Sequence, residues 1–380
     1  MRANLRSYRM AARFTIVILW VLLATAAAAW GSIDPGPLNA FYVRRIPRSY
    51  PDQERLLGSL QDCGASAAII DLPVSEDGLP DATQLPNMVY LIHKAGLQVF
   101  VVVPVRHLPG VLRVHPDWED ERYDLVERST SGSGMLDIFK TDVVLYLTEI
   151  TKSVAAFSVD GILYGQDFML GPGDAMSDWA IERAEKQLGE RVRPKTLFMK
   201  AKHSEFGTSG SFAPLFWRWE EIKRDRLLQV YDAMAAAGRA VRGSLRFGIP
   251  AHVVLPVYNQ KEMFAKYAYD MGKFKERAID YYWTWIDLSD RTHWQGPSYR
   301  QAMEIISRTA TSTASSVNDL ERRSIVLNGT TADGRMRPLS ELEESTELVR
   351  NSGPSGIVFT VMDDTSPPKE FMHKIFGNSR

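Results

Sequence analysis

Short runs of β-branched, aliphatic and aromatic residues recur along this chain, with longer amphipathic stretches between them. Most of the runs are almost entirely apolar, which is typical of strands that are covered on both faces in a parallel sheet. The pattern predicts strands at 38–43, 66–70, 98–103, 159–164, 247–255, 281–286, 324–328 and 356–362. It predicts helices at 52–61, 85–93, 216–240, 263–276, 299–309 and 340–350.

Eight strands that alternate with helices predict an α/β fold, a single (β/α)8 barrel of the TIM type, over residues 36–378. Glycines at Gly64, Gly96 and Gly353 precede predicted strands, where glycine relieves the left-handed cap of the helix before it. Two segments exceed the minimal repeat: 104–140 after the third strand and 165–215 after the fourth. Long loops in a compact domain are usually functional, and both would lie on the catalytic face of a barrel.

The N-terminus has the order of a secretory signal. Arginines at Arg2, Arg6, Arg9 and Arg13 precede an uncharged run over 14–33, which becomes alanine-rich at 24–29. We expect residues 1–30 to be a signal peptide, cleaved near position 28 or 29, and the protein to be exported to the periplasm or cell envelope. The alternative is an uncleaved signal anchor in the inner membrane, because the run is long enough to span a bilayer. The arginines favour a cytoplasmic N-terminus in either case.

Composition argues against several classes of protein. The 45 basic and 46 acidic residues give a net charge of −1, so no global charge suggests a nucleic-acid partner. The single cysteine, Cys63, cannot form a disulfide within the chain, and we expect it to be a small buried helix residue. None of the seven histidines forms a close His-x-x-x-His pair, and there is no Gly-x-Ser-x-Gly elbow or glycine-rich phosphate loop. We therefore expect no metal site and no cofactor.

Carboxylates and other polar residues follow the predicted strands, where a barrel enzyme keeps its chemistry. The segment 158–167 ends in Gln166 and Asp167, and Asp174 comes after a Gly-Pro-Gly turn. Other polar residues at strand ends are Asp71, Arg106, His107, Tyr258, Asn259, Asp287, Asp363 and Asp364. Paired carboxylates are the machinery of glycoside hydrolysis.

We predict Asp167 and Asp174 as catalytic residues; the predicted substrate-binding residues at strand ends are Gln166, Asp71, His107, Asp287 and Asp363. Structural roles are the alternatives for several acids. Asp174 could cap a following helix, Asp363 and Asp364 could shape a turn, and Asp160 could make a structural hydrogen bond.

Aromatic residues gather in the second half of the chain, and they include Trp217, Trp219, Trp283, Trp285 and Trp294. Sugar rings present apolar faces that pack on indole planes, although core packing is the more common use of such residues. Alternation along the strand predicts that Tyr281, Trp283 and Trp285 point to one side and Tyr282 to the other. Trp219 and Lys223 lie one helical turn apart, so both can face one ligand. We add Trp219, Lys223 and Trp285 to the predicted substrate-binding residues; the alternative for Lys223 is a solvated helix lysine.

Several segments, in order, resemble a known family: 96–105 with Leu108 and Pro109, 115–118, 136–139, 159–164, Trp219 with Lys223, Asn259 with Glu262, 280–282, and 356–358 with Asp363 and Asp364. The set is similar to the C-terminal glycoside-hydrolase domain of the poly-β-1,6-N-acetyl-D-glucosamine deacetylases of bacterial biofilm export, the PgaB type. The resemblance implies a (β/α)8 barrel with an electronegative groove. It also implies cleavage of the partially deacetylated polymer by aspartates in the loop after the fourth strand.

The match with this family is not complete at the catalytic loop. Asp167 matches one family aspartate, Gln166 stands where the family usually has its neighbour, and Asp174 is the nearest counterpart of a later one. The metal-dependent deacetylase half of the family has no counterpart here, so we do not expect deacetylation.

The expected function is an exported glycoside hydrolase whose partners are an amino-sugar exopolysaccharide and its export machinery. One alternative is a catalytically decayed protein of the envelope that binds the polymer or assists its export. Another is a barrel glycosidase that acts on a different glycan, because fold alone does not determine substrate.

Overall fold

The computed structural model describes residues 37–44, 49–62, 64–198, 201–204, 207–210, 212–251, 260–286, 299–317, 322–328, 337–353 and 356–361. The predicted signal at 1–30 and Cys63 lie outside these residues. The strands are β1 (Ala40–Val43), β2 (Ala67–Asp71), β3 (Gln98–Val103), β4 (Glu119–Tyr123), β5 (Thr130–Leu136), β6 (Gly161–Tyr164), β7 (Ala201–Ser204), β8 (Gly207–Gly210), β9 (Arg246–Pro250), β10 (Tyr281–Ile286), β11 (Arg323–Asn328) and β12 (Gly356–Val361).

The helices are α1 (Tyr50–Asp62), α2 (Leu85–Lys94), α3 (Pro109–Val114), α4 (Thr141–Ala155), α5 (Asp178–Leu188), α6 (Pro194–Leu197), α7 (Pro214–Val241), α8 (Gln260–Tyr267), α9 (Met271–Phe274), α10 (Tyr299–Ser316) and α11 (Leu339–Asn351). None of the helices in the described ranges is long and apolar enough to cross a membrane.

Eight of the strands form a closed barrel in the order β1, β2, β3, β6, β9, β10, β11 and β12, which pairs again with β1. Every neighbouring pair is parallel. Parallel neighbours require crossover connections, and here these contain the helices. The predicted (β/α)8 barrel is therefore confirmed, and the carboxyl ends of all eight strands meet at one end of it.

Alternation along the strands divides the core into two layers. One cluster fills the barrel interior and includes Ile69, Phe100, Tyr281 and Trp283, with Trp285 packed against it. The larger cluster lies between the strands and the helices and includes Tyr282, as the predicted alternation requires. Each fully buried large apolar side chain contributes roughly 1.5–3 kcal/mol relative to exposure.

The two long segments contain structure of their own. The segment after β3 forms α3 and the antiparallel hairpin β4–β5 before α4 begins, and the segment after β6 contains α5, α6 and the hairpin β7–β8. The predicted helix 263–276 is two helices, α8 and α9. Ala268 interrupts them with a φ of 50°, and Asp270 caps α9 by accepting hydrogen bonds from Gly272 and Lys273.

Candidate functional site

Polar and aromatic side chains continue the inward-facing rows of the barrel strands at their carboxyl ends. Ala67 and Ile69 of β2 face the interior, so Asp71, two residues further on, continues that row. By the same alternation, further rows end at Tyr42 on β1 with Arg44 directly after it, at Trp285 on β10, at Asn328 on β11 and at Thr360 on β12. We call these six residues the mouth ring.

The mouth ring places a carboxyl group beside a phenol. The Tyr42 hydroxyl donates a hydrogen bond to Oδ1 of Asp71. Asp71 is the exposed last residue of β2, and Oδ2 of its carboxyl group has no hydrogen-bond partner among the described residues. Desolvation by the surrounding protein raises the pKa of Asp71 above its usual range, although the Tyr42 hydrogen bond and the Arg44 charge act in the opposite direction. Burial, followed by the Asp71 charge, raises the pKa of Tyr42.

The indole of Trp285 packs against Tyr42 and Arg44. Trp285 is half-buried, and its ring meets that of Tyr42 edge-on, with 5.5 Å between the ring centroids. The Arg44 guanidinium carbon lies 4.8 Å from the centroid of the Trp285 ring, within the range of a cation–π interaction. Successive contacts therefore link a carboxyl group, a phenol, an indole and a guanidinium at the barrel mouth, a combination that can bind a carbohydrate. The substrate-binding role of Trp285 stays a prediction.

Asp167 connects the loops that follow β3 and β6. Its Oδ2 accepts three backbone hydrogen bonds, from the N–H groups of Val105 (2.8 Å), Arg106 (2.6 Å) and His107 (2.6 Å). Its Oδ1 packs against Gly165, where a Cβ atom would overlap it. The carboxylate is therefore held in one orientation between the two loops, half-buried, at the edge of a cleft. Its catalytic role stays a prediction.

The cleft beside Asp167 has a volume of about 370 Å³. The Tyr123–Val126 turn, the 167–174 loop and the end of α8 line it. Its charged residues have both signs: Asp124, Asp167 and Asp174 against Arg106, Arg122 and Lys266. This part of the surface is therefore mixed in charge, in contrast to the electronegative groove that the family resemblance implies.

Behind the cleft lies a buried ion-pair network centred on Arg106, whose side chain is 2% exposed. Its Nη2 lies 2.7 Å from Oδ2 of Asp120 on β4, and its Nη1 lies 2.8 Å from Oδ2 of Asp174. Nη1 also donates to the carbonyl of Met169 at 2.6 Å. The guanidinium thus joins the loop after β3, the β4–β5 hairpin and the loop after β6.

Asp174 is part of this network and is almost fully buried. Its Oδ1 pairs with Nε of Arg122 at 2.6 Å, and its Oδ2 accepts the N–H of Gly171 at 2.9 Å. Burial alone would raise the pKa of Asp174, but the Arg106 and Arg122 charges outweigh burial and lower the pKa well below its usual range. A carboxylate held ionised in this way does not donate a proton near neutral pH. It does not cap the next helix either, because the Ser177 hydroxyl accepts the N–H of Ala180 at the start of α5.

The predicted contacts of Trp219 and Lys223 with substrate are wrong. Both side chains are 0% exposed on α7. Trp219 stacks on Phe139 in the core, with ring centroids 6.2 Å apart. The Lys223 Nζ lies 2.6 Å from Oε1 of Glu220 and donates to the carbonyl of Gly171 at 2.8 Å. The lysine therefore supports the 171–174 turn from inside, and burial raises the pKa of Glu220 to about 8.

The other predicted residues divide into two groups. Gln166 and His107 are exposed next to Asp167, at the same end of the barrel as Asp71. Asp287 and Asp363 lie outside the described residues, as do Tyr258, Asn259 and Asp364.

Asp160, at the opposite end of β6, has the structural role that was considered for it, since its Oδ2 accepts the N–H of Val99 at 2.8 Å. Within the described ranges, no cluster of three or more His, Cys, Asp or Glu side chains could hold a metal ion.

Sequence reasoning missed Tyr42, Arg44, Asn328 and Thr360 of the mouth ring. The available signal was the period of two in the predicted strands, because Tyr42 shares the face of Ala40. The partners of Arg106 left no such signal, since Asp120 and Asp174 are 14 and 68 residues away along the chain.

The sequence matches no protein-family model and no curated protein. Solved structures do match the fold. The PgaB (BpsB) glycoside hydrolase domain from Bordetella bronchiseptica has a TM-score of 0.66 at 15% identity, over 89% of this chain and 96% of that domain. The catalytic domain of β-amylase from Paenibacillus polymyxa has a TM-score of 0.59 at 12% identity, over 91% and 100%.

A β-galactosidase from Bacillus circulans sp. alkalophilus gives a TM-score of 0.55 at 9% identity, over 87% of this chain and 51% of that enzyme. Identities this low establish shared architecture and leave substrate open. The chain is a (β/α)8 barrel of the type found in glycoside hydrolases, and its fold is similar to that of the PgaB hydrolase domain.

Proposed function

We propose that this protein is an exported glycoside hydrolase that cleaves partially deacetylated poly-β-1,6-N-acetylglucosamine or a related exopolysaccharide. The observation that carries the proposal is the mouth ring, where the exposed carboxyl group of Asp71 and the indole of Trp285 face the same end of a closed barrel. Carbohydrate chemistry needs a carboxyl group to transfer protons and an apolar plane to hold the sugar ring. The fold shared with known glycoside hydrolases supports the same reading.

Asp167 supports the proposal from the neighbouring loops. Three backbone donors fix its carboxylate at the edge of the cleft, and fixed orientation is what a catalytic group requires. A partially deacetylated polymer carries ammonium groups, so the acids at this end of the barrel would attract it. Asp174 takes no proton-donating role in this proposal.

The competing candidate is a catalytically decayed protein that binds the polymer or assists its export. Gln166 favours it, because an amide stands where the related family usually has a carboxylate. The binding surface would be the same mouth ring.

Polymer cleavage distinguishes the two candidates. The purified protein is incubated with partially deacetylated poly-β-1,6-N-acetylglucosamine, and released oligosaccharides are followed by mass spectrometry beside Asp167→Asn and, as a control, Asp142→Asn on the exposed start of α4. Released oligosaccharides that disappear only with Asp167→Asn support a hydrolase. Retained binding without any release by the wild-type protein would establish the binding protein instead.

Export is a further part of the proposal, and it rests on the order of charges and small residues in the N-terminal segment. We expect protein recovered from the periplasm to begin near residue 29 or 30. An intact N-terminus in the membrane fraction would favour the anchor, and protein in the cytoplasm alone would contradict export.

A further inference from the structure

We infer that Asp71 is the proton donor of this site and that Tyr42 is the residue that positions it. The inference rests on the proposed function, and it assigns the acid role to a residue that follows the second barrel strand.

The Asp71 side chain points toward the mouth of the barrel. Asp71 is in register with Val102 of β3, and its side chain follows the inward row of Ala67 and Ile69. The row below it is filled by apolar side chains, so the carboxyl group stands on the packed barrel interior and faces solvent at the mouth. A substrate that enters from the carboxyl ends of the strands would meet it directly.

The two carboxyl oxygens of Asp71 have different surroundings. The Tyr42 hydroxyl donates to Oδ1, which fixes the plane of the carboxyl group. Oδ2 has no partner in the described part of the chain, so it can carry the proton that a leaving oxygen needs. Tyr42 is itself fixed: it is buried on β1 and in register with Ile69 on one side and Thr360 on the other.

Aromatic rings lie near the Asp71 carboxyl group: Tyr42 donates a hydrogen bond to it, and Trp285 packs edge-on against Tyr42. In other enzymes an apolar contact keeps a catalytic acid protonated. The charged or titratable groups that act on Asp71 from the described residues are Tyr42 on β1 and Arg44, which directly follows β1. The raised pKa of Asp71 agrees with this geometry.

Asp174 and Asp167 are weaker as proton donors. Asp174 is ionised and enclosed by two guanidinium groups. Asp167 has one oxygen engaged by three N–H groups, while its other oxygen packs against Gly165. Asp167 follows β6 at the same end of the barrel, and we assign it the second carboxylate role, which acts on water or on the anomeric carbon.

In the proposed cleavage of the glycosidic bond, the Asp71 Oδ2–H bond breaks as its proton passes to the glycosidic oxygen. The bond between that oxygen and the anomeric carbon breaks, and its electron pair stays on the oxygen, which leaves as a hydroxyl group. Water adds its oxygen to the anomeric carbon, directly or after a glycosyl–carboxylate intermediate, and the proton released from water restores the starting protonation of the pair.

The test compares Asp71→Asn, Tyr42→Phe and the control Asp142→Asn on two substrates. One is the partially deacetylated polymer; the other is a 2,4-dinitrophenyl glycoside of its trisaccharide, whose leaving group needs no proton. Asparagine keeps an oxygen that can accept the Tyr42 hydrogen bond, and thermal unfolding checks that the variants fold. We expect Asp71→Asn to slow polymer cleavage by about 10²–10⁴-fold. It should slow dinitrophenol release by less than about tenfold.

Tyr42→Phe gives an independent readout. The Tyr42 hydrogen bond lowers the pKa of Asp71, so its loss should raise that pKa. A proton donor works below its pKa, and the alkaline limb of the pH–rate profile should therefore move to higher pH. An unchanged alkaline limb would overturn the role of Tyr42. If the Asp71→Asn variant cleaves the polymer as fast as the wild type, the assignment of Asp71 as proton donor is overturned, while the proposed function stands. No cleavage by the wild-type protein would overturn the proposed function and this assignment together.

Discussion

Individual residues of one chemical type have opposite roles in this barrel. Trp219 and Trp285 were both predicted to bind sugar, but the first is enclosed on α7 and the second lies at the mouth. The difference comes from which face of its element each indole occupies. A helix of 28 residues that packs on several sides does not reveal that face in its sequence.

Truncation of each tryptophan should separate stability from binding. We expect Trp219→Ala to lower the free energy of unfolding by about 3–5 kcal/mol, because it leaves a large cavity in the core. Trp285→Ala should weaken polymer binding by roughly tenfold or more, with a smaller loss of stability. Urea unfolding and polymer co-sedimentation measure the two effects. Equal effects of the two changes on binding would contradict the assignment of Trp219 to the core.

Gly165 determines where the Asp167 carboxylate can lie. A Cβ atom there would overlap Oδ1 of Asp167 and would lie 3.4 Å from Cα of Pro104. We expect Gly165→Ala to displace the carboxylate and to lower stability by about 1–3 kcal/mol. The matched control is Gly58→Ala on α1, where nothing lies within 4 Å of the added carbon. That change should raise stability by up to about 1 kcal/mol. Chemical denaturation measures the free energy of unfolding of both variants. Equal values would contradict the close contact between Gly165 and the Asp167 carboxylate.

At the scale of elements, the Arg106 network makes one unit of three segments that are far apart in sequence. Arg106 follows β3, Asp120 lies on β4, and Asp174 belongs to the loop after β6. The unit is buried, so removal of one partner leaves a charge without compensation, and such losses typically cost about 3–5 kcal/mol.

The Asp174 ion pairs predict a specific dependence of stability on pH. The folded-state pKa of Asp174 lies below its unfolded value of about 3.9, so its contribution is complete well above pH 4 and is lost as pH falls through the depressed folded-state pKa. We expect Asp174→Asn to be clearly less stable than the wild type at pH 7, and we expect the difference to narrow at pH 3. Urea unfolding at both values, with Asp142→Asn as the exposed control, tests this. A difference that stays constant between pH 7 and pH 3 would rule out the ionised pair as its cause.

The elements of the fold were largely predictable, because burial imposes a local pattern on each strand. The predicted strands at 98–103 and 281–286 coincide with β3 and β10, whose residues are almost all buried. Helix α4 was not among the helical stretches named from the sequence.

The site was predictable only where it depends on strand ends. Asp71 and Trp285 follow from the rule that chemistry lies at the carboxyl ends of barrel strands. The pairing of Arg106 with two distant carboxylates does not follow from any local pattern. For that reason Asp174 was predicted as a catalytic acid although its charge is already compensated.

At the scale of the whole molecule, buried carboxyl groups set the pH at which the fold is most stable. Burial raises the pKa of Asp120 to about 7 and that of Glu220 to about 8. Their unfolded pKa values are near 4, so between about pH 4 and pH 8 the folded chain binds more protons than the unfolded chain. Stability is therefore highest at the low end of this range and is lost as pH rises.

We expect the free energy of unfolding to fall between pH 5 and pH 8, by up to about 6 kcal/mol if both groups contribute fully. Asp120→Asn removes one of the two groups and keeps an oxygen for the Arg106 hydrogen bond, so it should flatten the decline. Denaturant titrations of both proteins across this range measure the slopes. A wild-type stability that rises toward pH 8 would contradict the raised pKa values.

The position of Arg44 over the indole of Trp285 also has an optical consequence. Indole emission responds to a cation that lies against the ring, and here the cation comes from the protein itself. A sugar that takes the same face must move the guanidinium aside and replace it with C–H groups. We therefore expect a ligand at the barrel mouth to change the emission of Trp285, which would make this tryptophan a reporter of binding at the proposed site.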